Sequence, residues 1–261
     1  MMSDKNTQLK DEQFLIHHLT DLANECYNRN YPVYSDFLTL HEQSVFHTVL
    51  SKMPPVNISF IGGYDLVERK CISFLPIDFP ADSAGLPFSY LLVKPITPRF
   101  ARPFAHRDVL GSLMGLGIAR NKIGDLLVNK KENTCIIICM NQIASYISEQ
   151  LTQIGHTAVT CEMIATPKGH YTPEIEEITG TVSSIRLDSL CALCMKFSRQ
   201  TSNRLITEGN VFVNGRCITS NGYHLKENDI ISVRHYGKFI YTGESHTTKK
   251  GRLFVHLEKY I

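Results

Sequence analysis

Six cationic side chains near the carboxy terminus, Arg186, Lys196, Arg199, Arg204, Arg216 and Arg234, share one chemical aptitude. Guanidinium groups make paired, charge-assisted hydrogen bonds to phosphate oxygens, and an ammonium adds a point charge. Among these residues, SRQTSNRLITEGNVFVNG (198–215) supplies a helix start, a helix stop and a hairpin turn. Ser198 suits an N-cap whose hydroxyl accepts from an otherwise unpaired backbone N–H. The helix start beside Arg199 adds free N–H groups and partial positive charge, a combination that attracts phosphate. Gly209 suits a left-handed C-cap, and Asn214-Gly215 fits the positive φ angles of a type I′ turn. This turn is expected either to hold the hairpin against a polyanion backbone or to serve turn geometry alone. Asp188 breaks the basic trend and is expected to orient a neighbouring arginine or to cap locally.

A second basic stretch holds Arg99, Arg102, Arg107, Arg120 and Lys122, interleaved with Phe100 and Phe104. It reads as a second binding patch or as a solvated face. Other arrangements fall short of chemistry. Cys191 and Cys194 form a C-x-x-C inside an apolar helical pattern, and zinc would need a second ligand pair, so they read as core thiols. His106-Arg107-Asp108 matches the kinase H-R-D, but Leu113 stands where that motif requires asparagine. Asp108 and His106 fit a helix start better. HEQSVFH (41–47) lacks the i, i+4 histidine spacing of a zinc helix, and GLGIAR (115–120) lacks a third glycine. No catalytic residue, metal site or cofactor is expected.

The elements that must position the cations follow from periodicity. SSIRLDSLCALCMKF places apolar residues at 187, 190, 194 and 197, one helical stripe. RQTSNRLITE is a second helix, VFV-NG-RCI a hairpin, and LKENDIISVRHYGKFIY and RLFVHLEKY further strands. Upstream, 89–170 reads β-α-β-β-α-β, with TCIIICM as a central strand and Asn141 as a helix cap, the order of a ferredoxin-like split βαβ unit. TCIIICM carries no aromatic, so an RNA-recognition-motif stacking platform is not expected there. Near the N-terminus, EQFLIHHLTDLANECY and LHEQSVFHTVLSK are helical, and NISFIGGYDLVERKCISFLP reads as two strands around Gly62-Gly63. ATPKGHYTPEIEEITG (165–180) reads as a connection. An α+β chain of three domains results: 1–88, 89–170 and 181–261.

The chain has 261 residues, 43% hydrophobic and 20% charged, as soluble globular proteins do. No apolar run approaches a membrane span, and MMSDKNTQLKDEQF lacks the apolar core of a secretory signal, so a cytoplasmic location with reduced thiols is expected. The net charge of +2 is segregated: 181–261 holds 12 Lys/Arg against 6 Asp/Glu, and 94–122 holds 6 against 1. That pattern suits a polyanion partner.

The string RLDSL…SR…LI..G.VFVNGR…L.ENDIISVR..GKF (183–239) resembles the S4 RNA-binding domain, an αL-type fold. It departs from that pattern at Asn203, where a small residue, usually Ala, is common. GGYDLVERK, FPADSAGLPFSYLLVKP and HRDVLGSLMGLGIARNKIGD further resemble the YlmH-like proteins of Gram-positive bacteria, related to RqcP-type quality-control factors. That resemblance implies a non-catalytic protein binding rRNA of the large (50S) ribosomal subunit and tRNA, beside an RqcH-type tailing factor. It also implies an association with cell division. S4 domains accompany pseudouridine synthases and tyrosyl-tRNA synthetases too, so an RNA-modifying enzyme is the alternative. HIGH-like and KMSKS-like signatures, and a convincing catalytic-aspartate motif, are absent from the sequence.

Overall fold

The computed structural model describes residues 2–64 and 67–260. It separates into two compact units, 1–172 and 173–261. The segments 1–88 and 89–170 therefore belong to one unit.

In the first unit, α1 (Met2–Arg29) lays Leu19, Ala23 and Cys26 against Phe46, Ile72 and Phe74, all fully buried. β1 (Val33–Tyr34) is followed by α2 (Leu40–His47), which starts with a capping box: Thr39 accepts from the Glu42 amide, and Glu42 accepts from the Thr39 amide. His41 Nε2 lies 2.9 Å from Glu12 Oε1, so this histidine joins two helices. β2 (Asn57–Ile61) and β3 (Cys71–Leu75) pair antiparallel in a sheet ordered β1-β3-β2. The link between them is a long loop rather than a tight Gly62-Gly63 turn; Asp65 and Leu66 of the GGYDLVERK string lie outside the described residues.

β4 (Phe88–Pro95), α3 (His106–Gly115), β5 (Ile123–Asn129), β6 (Thr134–Met140), α4 (Asn141–Gln150), the short β7 (Gln153–Ile154) and β8 (Thr157–Ile164) follow. Their antiparallel order β5-β6-β4-β8-β7 is the split βαβ arrangement, with β7 as an added edge. Asn141 does not cap α4. Its amide side chain accepts from Ser89 Oγ at 2.6 Å and donates to Leu86 O at 2.7 Å, tying down the loop before β4.

Both faces of this sheet are covered. Leu91, Val93, Cys135, Ile137 and Cys139 pack under the helices. The alternate residues Phe88, Tyr90, Leu92, Ile136 and Ile138 meet Phe37, Val67 and Cys71 from the N-terminal segment. The sheet thus has aromatics where an RNA-recognition motif would expose them, on β4, and the N-terminal segment buries them: Phe37 lies 5.6 Å from Phe88, and Tyr90 Oη donates to Gly63 O. Gly124 permits that closure, because a Cβ there would stand 2.9 Å from the Phe37 ring.

An arginine clamp fastens the cover. Arg69 donates from Nε to Ile123 O and from Nη2 to Phe37 O, both at 3.0 Å. Asp125 accepts the amides of Glu68 and Arg69 at 2.8 and 3.0 Å.

The second unit begins earlier than the sequence suggests. Ile175–Val182 forms β9, which pairs with β14 (Leu253–Tyr260) over eight positions. Between them come α5 (Leu187–Met195), α6 (Arg199–Thr207), β10 (Val211–Val213), β11 (Arg216–Cys217), β12 (Ile230–Val233) and β13 (Gly237–Thr247). The sheet order is β11-β10-β12-β13-β14-β9. Leu187, Leu190 and Cys194 form the buried stripe of α5 against Ile206, Val211, Ile231, Phe239 and Val255. A strand at 175–182 was hidden by its acidic, Pro-flanked sequence, yet its residues alternate across a pleat, which suits an edge strand. It adds Glu176 and Glu177 to this unit, next to the flanking Glu174, so charge is segregated within the unit as well as along the chain.

Candidate nucleic-acid interface

The interface is organised by one buried carboxylate at the start of α5. Asp188 is 3% exposed. Its Oδ1 accepts from Arg186 Nε at 3.0 Å and its Oδ2 from Arg186 Nη2 at 3.2 Å, a bidentate pair. Arg199 Nη2, from the first turn of α6, stands 3.8 Å from the same Oδ2 and donates to Ser189 Oγ at 2.8 Å. Ser202, fully buried on α6, donates to the Asp188 carbonyl at 2.9 Å and sets the two helices in register. Both guanidinium groups keep outward surface, 39% for Arg186 and 60% for Arg199. The arrangement leaves two cations side by side, aimed by one anion that solvent barely reaches.

The helix starts differ. In α5 the first amides are taken by a loop: Leu187 N donates to Tyr223 O and Asp188 N to Asn221 O. In α6, Ser198 caps as expected, its Oγ accepting from Thr201 N at 3.0 Å. The amides of Arg199 and Gln200 have no acceptor among the described residues, so an anion can meet them beside the Arg199 side chain.

The remaining expected contacts are dispersed. Lys196 sits in the left-handed conformation that closes α5, with its ammonium 3.6 Å from Glu176. Arg204, Arg216 and Arg234 are exposed and make no side-chain ion pair among the described residues. Asn214 and Gly215 have φ of 49° and 81°, the type I′ signature. The Asn214 side chain is committed inward, donating to Asp229 Oδ1 at 2.8 Å and accepting from Ile230 N at 3.0 Å, which makes it a poor free ligand. Asn203 has a buried Oδ1 without a hydrogen-bond partner. Asn203→Ala removes that orphan and improves helix propensity, so it should add about 1 kcal/mol of stability, read as a higher urea midpoint. A fall in that midpoint would show that the amide has a structural task.

The second basic stretch divides. Arg120 turns inward, donating from Nη1 to Ile123 O at 2.5 Å and Gly124 O at 3.2 Å; burial, then nearby Arg69, lowers its pKa to about 10. Lys122 pairs with Asp36 at 2.6 Å, and Phe104 is buried at 4% exposure. These three build the fold. Arg99, Arg102 and Arg107 remain exposed, with Arg99 lying over the 81%-exposed Phe100 ring.

Cys191 and Cys194 are core residues of α5, and burial raises both thiols, Cys194 to about 12. Burial likewise raises Cys139 and Cys161 to about 12. A thiolate is the reactive form, so iodoacetamide at pH 8 should label these positions slowly in the folded chain and rapidly in urea. Fast labelling of folded Cys191 would contradict the packing. Among the described residues no group of three or more His, Cys, Asp or Glu could hold a metal, and no helix is long and apolar enough to cross a membrane.

Comparison with known proteins accounts for this arrangement. Residues 185–231 match the S4 domain model, and residues 92–168 match a model described as "Putative RNA-binding domain in YlmH". Over 229 residues the chain is 33% identical to the Ribosome-associated protein quality control protein P2 of Bacillus subtilis (strain 168), covering 86% of each chain. The chain belongs to the YlmH family. The solved Cell division protein ylmH from Streptococcus pneumoniae is 20% identical, with a TM-score of 0.48 over 59% of this chain and 91% of that one. Within the YlmH-family chain, the Asp188 pair lies in the S4 match, whereas β9, β13 and β14 lie wholly outside both matches. Sequence reasoning assigned Asp188 its orienting role but missed Ser189 and Ser202. Their spacing to Asp188 and Arg199 is intelligible only once the two helices are packed.

Proposed function

We propose that this protein is a non-catalytic RNA-binding factor of the large ribosomal subunit. It grips rRNA, and tRNA beside it, during quality control of stalled nascent chains, in company with an RqcH-type tailing factor. The observation that carries this reading is the pair of partly exposed guanidinium groups held on Asp188 beside the open amides of α6. Such a group positions phosphates and reads little sequence. The similarity to a ribosome-associated quality control protein of B. subtilis supports the ribosomal setting.

The experiment is co-sedimentation of the full chain with purified large subunits on sucrose gradients, with RNA crosslinks mapped. Arg199→Ala should weaken binding about tenfold, the loss of one charge-assisted contact. Thermal stability should hardly change, because Asp188 keeps its bidentate partner Arg186. Binding should also weaken steeply with salt, by about 0.7–0.9 log units per decade of salt for each phosphate engaged. Salt-insensitive binding, or equal binding by the variant, would remove this reading in favour of a protein-binding adaptor.

A further inference from the structure

The cationic surface does not end with the S4 match. A cleft of about 280 Å³ lies between the start of α5, the end of β9 and the start of β14, lined by Thr181, Ser183, Ser189, Leu193, Arg199 and Arg252 among others. No carboxylate lines it. Arg252 is exposed yet fixed, donating from Nε to Thr181 Oγ1 at 3.1 Å and from Nη2 to Thr181 O at 2.5 Å. Arg199 is fixed on another wall by Ser189 Oγ. Two guanidinium groups are therefore held in place around one small hollow with a partly apolar floor, and the acid beside Arg199, Asp188, is buried and already paired with Arg186.

The neighbouring turn continues the charge. Lys249 and Lys250 are exposed at the tip joining β13 to β14. The tip is closed by Thr248 N to Arg252 O at 2.7 Å, Gly251 N to Thr248 O at 2.9 Å and Arg252 N to Thr248 Oγ1 at 3.0 Å. Opposite in character, Glu177, Glu227, Glu244 and Glu258 line another depression on the same sheet. Glu258 is six positions from Arg252 along β14, roughly 20 Å in an extended strand. An approaching polyanion is thus drawn to one end of this sheet and repelled from the other.

We propose that this cleft seats a backbone phosphate of the bound RNA between Arg199 and Arg252, and that the Lys249-Lys250 tip engages the strand beyond it. The footprint then runs from the S4 helices onto a carboxy-terminal hairpin that neither family match assigns. This rests on the RNA-binding reading above.

The test uses the full chain, a fluorescein-labelled 20-base-pair RNA hairpin and fluorescence anisotropy across a KCl series. Arg252→Ala should weaken binding about tenfold and flatten the log K against log salt slope by about one phosphate's worth, with Arg252→Lys recovering most of the slope. Lys249→Ala with Lys250→Ala, both exposed at the turn, should flatten it by about two. A structural role for Arg252 would lower the melting temperature without changing the slope. Inorganic phosphate should compete only at far higher concentration than the hairpin, since a single anion engages part of the track. Unchanged slopes in the Arg252 and lysine variants, with Arg199→Ala still impaired, overturn the extension and leave the proposed function standing. If the wild-type chain ignores the hairpin even in dilute salt, both fall.

Discussion

Asp188→Ala should destabilise the carboxy-terminal unit by about 2–3 kcal/mol and weaken RNA binding tenfold or more, although a carboxylate is the wrong sign to touch RNA. Breaking a buried ion pair from one side costs about 3–5 kcal/mol because the partner charge is left uncompensated. The lower figure applies here because Arg186 is 39% exposed and regains water. The binding loss has a separate origin. Without Asp188, Arg186 loses its bidentate acceptor and Arg199 its nearby anion, so both must be ordered by the RNA itself. Urea unfolding and anisotropy read the two effects independently. Arg186→Leu combined with Asp188→Leu should restore much of the stability, since an apolar pair replaces a buried ionic one, and should leave binding impaired. Wild-type affinity in Asp188→Ala would show that the arginines need no aiming.

Asp125→Ala should have the largest effect on the first unit, about 3–4 kcal/mol. The substitution strips acceptors from two backbone amides, Glu68 and Arg69, each worth about 1–3 kcal/mol when buried and unpaired. It also removes the anion beside Arg69 and Arg120, whose mutual repulsion is then uncompensated. The segment released is the cover over Phe88 and Tyr90. A dye that fluoresces on exposed apolar surface should therefore bind the variant before global unfolding, while the 173–261 unit melts normally. A variant with the wild-type urea midpoint and no dye binding would show that Phe37 and its neighbours hold the cover without the clamp.

Some of this architecture is legible along the chain because its causes are local. Ser198 caps α6 through an amide three residues away, Asn214-Gly215 turns because both residues tolerate positive φ, and the 187, 190, 194 spacing fills one helical face. The β-α-β-β-α-β order emerges from alternating periods, and the order of strands in the sheet follows the split βαβ rule. Errors arise where a residue's role depends on a distant partner. Arg120 and Lys122 read as surface charge until Ile123 O and Asp36 are seen to claim them. Asn141 has the chemistry of a cap, but Ser89 and Leu86 occupy its amide.

The open sheet face shows the same division. Lack of an aromatic in TCIIICM argues against a stacking platform, and the platform is in fact blocked for another reason: Phe88 and Tyr90 on the adjacent strand lie beneath the N-terminal segment. β9 is not legible in the sequence because three glutamates and a proline in and before it conceal a strand whose stability comes from its pairing with β14, some eighty residues later.

What the amino-acid order determined by itself is the repertoire: a basic carboxy-terminal segment, the S4 pattern of helices and hairpin, capping residues and a split βαβ core. These rest on hydrogen bonds and periodicities spanning a few residues, so they survive without knowledge of the fold. Tertiary structure decided which charges are available. It set Asp188 beneath two arginines, turned Arg120 inward, brought Arg252 to the cleft that holds Arg199, and sealed the central sheet. A cation's availability depends on whether an acceptor lies within about 3 Å of it, and chain segments far apart in sequence supply those acceptors only after packing.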